Sequence, residues 1–399
     1  MLRWGRESVI GAPPRRILAP VMVLGLAFAL AGLWYGLIRL GWRWPTPRPE
    51  LVLAHGPLMV VGFVSTLVGL ERAAAIRRWW AYAAPVATAT AAALLLAGQP
   101  TAVVGAVAAV GALILVAAYA VILRRQPSLF GGVMALGAAL AAAGSVLWAL
   151  GAGLALVTLW WSAFLVLTIA GERFELGRTA RPPAAARRAF VLAVAVLVTG
   201  LALAGVEPLA TGLRLGASPV WTDAGVRLFG VGLLALAAWL VRYDVARITV
   251  RHNGLSRFIA AALLPAYGWL AVAGVLALVA GAAWPGRSYD AAVHALMVGF
   301  TISVIYGHAP IVLPILLGRP PVFQRVFYGH LALLHASLLL RVAGDMAGVA
   351  AWWRWGGLLN AVSIVWFVVA TAIAVANAFR ATGAVPPDGP ATRGDRDAA

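Results

Sequence analysis

Cysteine is absent from all 399 residues, which excludes disulfides, thiolate-bound metal and covalent c-type haem attachment. Lysine is absent too, so each of the 31 basic residues is Arg. Charge of either sign is scarce: 11% of residues are charged against 63% apolar, too little polar surface to coat a water-soluble globule of this size. Long alternating polar and apolar runs, the mark of a membrane β-barrel, are missing as well. What remains is a helical membrane protein whose main solvent is lipid, because in a bilayer each segment must pair its own backbone groups.

Apolar runs of about 18 residues or more, long enough to cross a hydrocarbon core, recur with short polar breaks. They place about twelve transmembrane helices near residues 17–39, 51–70, 79–98, 101–123, 129–149, 154–171, 189–206, 225–241, 258–282, 289–317, 325–345 and 352–379. The expected organisation is a cytoplasmic tail over 1–16, a twelve-helix domain over 17–380, and a disordered cytoplasmic tail over 381–399 rich in Pro, Gly, Asp and Arg. The first apolar run is long and lacks a small-residue cleavage pattern, so it reads as a span and not as a removed signal peptide.

The net charge of +18 does not indicate nucleic acid, because the arginines follow the loops. Counting alternate sides of the predicted spans, 23 Arg fall on the side of the N-terminus and eight on the other. This bias puts both termini in the cytoplasm of a bacterial-type inner membrane. Glu71, Glu172 and Glu175 stand at the cytoplasmic edge, where Arg72 and Arg173 can pair with them. The ends of helices two and six match as Gly69-Leu70-Glu71-Arg72 and Gly171-Glu172-Arg173, and helix two matches helix ten in the run from His55 to Phe63 against His294 to Phe300, with two residues skipped. Together these suggest three units of four helices.

Five of the six histidines lie inside predicted spans, where an ionisable side chain usually has a partner or a task. The sixth, His252, sits in a basic loop. His55 and His294 both enter from the outer side and share a depth. His308 is fourteen residues further along helix ten, roughly 21 Å deeper and on nearly the same face. On helix eleven, running outward, His335 reaches the depth of His308, with His330 nearer the cytoplasm. Two stacked sites are therefore expected: an outer pair, His55 and His294, and an inner set, His308 and His335 with His330. Imidazole suits haem b and copper. Gly56, Gly62 and Gly299 near the outer pair, and Gly307 and Gly329 near the inner set, are expected to let a flat macrocycle approach. Arg341, four residues before Asp345, is the candidate for haem carboxylates. Tyr306, Met59 and Met297 read as packing residues, and Trp79, Trp80, Trp352 and Trp353 as interfacial anchors.

The stretch Ala54-His55-Gly56-Pro57-Leu58-Met59-Val60-Val61-Gly62-Phe63 resembles the second helix of haem-copper oxidase subunit I, whose HG-x-x-M pattern carries a low-spin haem ligand. His294 with Val298-Gly299, Gly307-His308 and Gly318-Arg319 resembles the second histidine region of the NnrS family, twelve-helix proteins that bind haem and copper and are linked to nitric oxide. The resemblance implies a haem-binding or haem-copper membrane protein, engaged in nitrogen-oxide response or electron transfer, with nitric oxide, oxygen or a quinol as partner. This chain departs from both patterns. It has no His-x-His-Glu-Met start, no His-Pro-Glu-Val-Tyr element, no adjacent His pair and no Lys for a proton channel. Two alternatives stand beside this reading: a metal-free transporter using intramembrane His, and a quinol-linked nitric oxide or oxygen reductase. Pro265, Pro310 and Pro314 give no matched pair of broken helices for the transporter.

Overall fold

Short connections make consecutive helices antiparallel neighbours, and the chain obeys that rule from end to end. A computed structural model describes residues 15–46, 48–177, 182–212, 220–281 and 286–383. No strand occurs among them, and twelve long helices do: α1 (Arg15–Arg39), α2 (Pro49–Ile76), α3 (Trp79–Leu96), α4 (Thr101–Arg125), α5 (Leu129–Ala149), α6 (Leu154–Leu176), α7 (Ala184–Gly212), α8 (Val220–Tyr243), α9 (Gly254–Ala280), α10 (Arg287–Leu316), α11 (Phe327–Ala347) and α12 (Ala350–Gly383). Eleven are long and apolar enough to cross a membrane. The exception is α11, diluted by His330, His335, Arg341 and Asp345. The protein is an all-α polytopic membrane protein. Most of both expected tails lies outside the described residues; 15–16 and 381–383 continue α1 and α12.

Local chemistry places several boundaries. The Ser128 hydroxyl caps α5 by accepting from Gly131 N at 3.3 Å. Gly348 ends α11 with φ 71°, a left-handed conformation that spares glycine the Cβ clash, and the chain turns at once into α12. Large apolar side chains such as Leu24, Leu113, Leu192 and Ile373 lie exposed on the outer faces, as a lipid-facing surface requires. The most apolar stretches of α6 and α10 are 72% and 67% buried, against 39% for α1, α4 and α7. Two enclosed helices thus form the middle of the bundle, and both line a large cavity.

Two ion pairs tie the ends opposite that cavity. Arg72 at the end of α2 pairs with Glu172 at the end of α6 and reaches Glu71 at 3.4 Å. The expected pairing of Arg173 with a glutamate gives way to a more distant partner. Its Nε and Nη2 donate to Asp244 Oδ2 and Oδ1 at 2.7 and 3.0 Å, and Oδ1 also accepts from Ala246 N at 2.7 Å. Both residues are buried, and the fork geometry of Arg satisfies both carboxylate oxygens at once.

Breaking a buried pair leaves one charge stranded, so Asp244→Ala should lower stability by about 3–5 kcal/mol. The paired change Arg173→Met with Asp244→Leu should recover most of that loss. Thermal unfolding in detergent of both variants checks the pair; equal losses would mean that the interaction does not stabilise the fold.

Candidate functional site

The start of α2 is a mosaic: a 3-10 turn over Pro49–Ala54, three α-helical residues His55–Pro57, and a π-helical stretch over Leu58–Ser65. Helix α10 repeats the pattern, with α-helix over Arg287–His294 and a π stretch over Ala295–Ile302. Each π stretch begins directly after a histidine or just beyond it. Wider i→i+5 turns of this kind are rare and concentrate at functional sites.

The structure brings His55 and His294 together. Their rings are 6.2 Å apart centre to centre and 9° from parallel. His55 Nδ1 lies 2.7 Å from Gly32 O on α1, and His294 Nδ1 lies 2.8 Å from Asp290 O one turn back on α10. A carbonyl oxygen only accepts, so each Nδ1 carries a hydrogen and, in the neutral ring, each Nε2 holds a lone pair. Neither Nε2 has a hydrogen bond to another described side chain. The close seat of His55 on α1 depends on Gly36, where a Cβ would stand 2.7 Å from His55 Nδ1.

Both imidazoles line a cavity of about 530 Å³ between α1, α2, α6, α10, α11 and α12, within the size range of small-ligand sites. Leu33, Met59, Val60, Leu165, Met297 and Ile302 form apolar wall. Arg39, Tyr289, Asp290, Arg341 and Trp353 supply polar groups. Asp290 joins several of them: its Oδ2 accepts from Arg341 Nη2 at 2.9 Å and Trp353 Nε1 at 3.1 Å, and its Oδ1 is 3.4 Å from His294 Nδ1. Arg341 therefore pairs across helices with Asp290. Room for its guanidinium comes from Gly357, where a Cβ would meet Nη1 at 2.6 Å.

The inner histidines have three separate environments. The Trp269 indole donates to His335 Nδ1 at 3.0 Å. Ser303 gives its own hydrogen to Ala262 O at 2.7 Å, so its oxygen, 3.3 Å from His335 Nε2, accepts from that ring. Both nitrogens of His335 are thereby engaged. His330 is fully buried among Phe258, Tyr306, Phe327, Trp366 and Phe367, and neither ring nitrogen has a partner. His308 turns its Nε2 toward Glu172 at 4.0 Å. Among the described residues no group of three or more His, Asp or Glu side chains converges as a metal site.

Most of the glycines expected to admit a macrocycle serve helix packing instead. Gly62 faces Phe28 and Ala92, Gly299 faces Trp269 and Leu338, Gly307 faces Ala262, and Gly329 faces Trp366. Gly56 does line the cavity. Arg39 and Asp290 belong to the site and carry no sequence signal beyond their place near a helix end.

Residues 16–377 match the family described as "Domain of unknown function (DUF8744)". The chain belongs to that family. Comparison with curated proteins gave no match.

His330 and His335 make opposite predictions. His330→Phe removes two unpaired nitrogens and should hold or raise the melting temperature, whereas His335→Phe strands the Trp269 and Ser303 groups and should cost roughly 1–3 kcal/mol. Melting curves of both variants test this, and a lowered melting temperature in His330→Phe would contradict the packing assignment.

Proposed function

We propose that the cavity holds one haem b between His55 and His294, making the protein a haem-binding electron-transfer protein of the membrane. The parallel imidazole pair carries this reading. Two imidazoles bonded on opposite sides of one metal, at roughly 2 Å per bond, put their ring centres roughly 6 Å apart once the ring radii are added. The observed 6.2 Å matches that spacing, and it is too wide for ring-on-ring contact at about 3.5–4 Å.

The fit extends to the rest of the donor set. Both Nε2 lone pairs are available, and carbonyl hydrogen bonds to Nδ1 are the outer-shell contacts that orient and strengthen imidazole ligands. The apolar wall suits a macrocycle, while Arg39 and Arg341 suit its carboxylates. When bound, such a haem supplies one-electron transfer. The residues' part is to hold its plane, exclude water from its faces and fix its edge at the polar end of the cavity. Two histidine ligands favour electron transfer over catalysis, so the quinol-linked reductase and the transporter are the weaker readings. Copper finds less support, since the inner histidines are spread over three environments. The tie to nitric oxide comes from the NnrS resemblance.

The arginine bias further supports a cytoplasmic-membrane location with both termini inside, which turns the polar end of the cavity outward. The Cys-free chain makes this simple to test. Gln99→Cys, in the connection from α3 to α4, should react with a membrane-impermeant maleimide in intact cells. Gln126→Cys, between α4 and α5, should react only after permeabilisation, and the reverse result would invert the topology.

The cofactor is tested by a reduced-minus-oxidised absorption spectrum of the detergent-purified protein, with haem and copper quantified. The expected result is a low-spin b-type signal that both His55→Ala and His294→Ala abolish. A colourless, metal-free protein after expression with ample haem would sink the reading and favour the transporter.

A further inference from the structure

The two imidazoles are held very unequally. His294 donates to Asp290 O in its own helical turn, and the Asp290 carboxylate beside it is fastened by Arg341 of α11 and Trp353 of α12. His55 has a single hydrogen bond, to Gly32 O on the neighbouring α1. Its backbone belongs to a three-residue α segment caught between a 3-10 and a π stretch, where mixed hydrogen-bond patterns mark a hinge. The next two residues loosen it further. Gly56 has no atom within 4 Å of where its Cβ would stand, and Pro57 has no N–H to give to the helix.

A second void adjoins the cavity deeper in the bilayer. It shares the lining residues Leu33, Ile302 and Ile364 with the large cavity, and continues past Leu30, Phe63 and Phe367. Its volume, about 10 Å³, is at the lower limit for one water-sized molecule. The walls are apolar, and the one hydroxyl among them, on Tyr306, is bonded to Ser363 Oγ at 3.0 Å. The apolar wall of the large cavity thus continues unbroken toward the bilayer interior. Thr301 adds a waiting donor: it lines the large cavity, is 2% exposed, and its Oγ1 has no hydrogen-bond partner.

We infer that His294 is the permanent ligand and His55 the exchangeable one, and that a neutral diatomic gas entering through the apolar wall of the large cavity takes the place of His55. The inference rests on the proposed haem. In the exchange His55 gives up its metal bond and the gas forms one in its stead. Its Nε2 lone pair returns to the cavity, Nδ1–H stays on Gly32 O, and no proton or electron changes hands.

The test uses carbon monoxide as probe, added to the dithionite-reduced full-length holoprotein and monitored by absorbance. The wild type should bind it slowly. His55→Ala should keep its haem, with its low-spin signal replaced by a five-coordinate one, and bind at least about tenfold faster, because the ligand-free fraction no longer limits the reaction. Gly36→Ala, whose Cβ would crowd His55 Nδ1, should shift the rate the same way and guards against a misfolded His55→Ala. His294→Ala should lose the haem on purification. Haem retained in His294→Ala but lost in His55→Ala would overturn the assignment. So would carbon monoxide rates unaltered in both His55→Ala and Gly36→Ala. A protein without any haem signal fails the parent reading instead, which the starting spectrum reveals before gas is added.

Discussion

Two hydrogen bonds, from His55 Nδ1 to Gly32 O and from His294 Nδ1 to Asp290 O, govern what the cavity can do. Each acceptor is a backbone carbonyl already engaged in helix geometry, so neither can drift far, and each removes the alternative tautomer. Were either ring turned over, its lone pair would face a carbonyl lone pair and its N–H would point into an apolar space. That arrangement loses a hydrogen bond and adds a repulsion. The aim of both lone pairs is thus set by main-chain positions on α1 and α10, and those positions are set by packing. Gly36 lets the His55 ring reach α1, and Gly357 lets the Arg341 guanidinium settle against α12 beside Asp290.

Several polar groups inside the bundle are treated in two opposite ways. At the ends away from the cavity, Arg173 with Asp244 and Arg72 with Glu172 satisfy one another across helices, and His335 is closed off by Trp269 and Ser303. Around the cavity some groups are left open: each histidine makes its one hydrogen bond through Nδ1, and the Thr301 hydroxyl and the Nε of Arg341 have no partner. Lipid offers no water to offset such openness. Unpaired groups also lie away from the cavity, among them the Arg72 Nε, the Tyr119 hydroxyl and both ring nitrogens of His330.

Much of this was legible in the residues. Apolar run length located the twelve helices, since span length is set by the bilayer and not by neighbours. The outer pair was legible for a related reason: His55 and His294 sit near the starts of helices running in one direction, so equal distance from the start means equal depth. The inner set was not, because depth says nothing of azimuth. His308, His330 and His335 face Glu172, an aromatic cage, and the pair of Trp269 and Ser303 respectively. Arg173 chose Asp244, 71 positions away, over nearer glutamates, a choice made by helix packing alone. The carbonyl of Gly32 has no side chain to announce it.

The π stretches left one trace in the sequence, the shared Leu-Met-Val-(Val)-Gly-Phe that aligns α2 with α10 only when residues are skipped. A π stretch takes up more residues per turn than the α-helix on either side, so it works as a phase shifter. Were Leu58–Ser65 wound as α-helix with no residue removed, each residue that the wider turns absorb would turn His55 by about 100° relative to the remainder of the helix. His55 would then leave the cavity wall with its own identity and its neighbours in sequence unchanged. In both helices the azimuth of the imidazole is therefore written in how tightly the segment after it is wound, and a change that tightened the winding several residues away would remove the ring from the cavity as completely as replacing it.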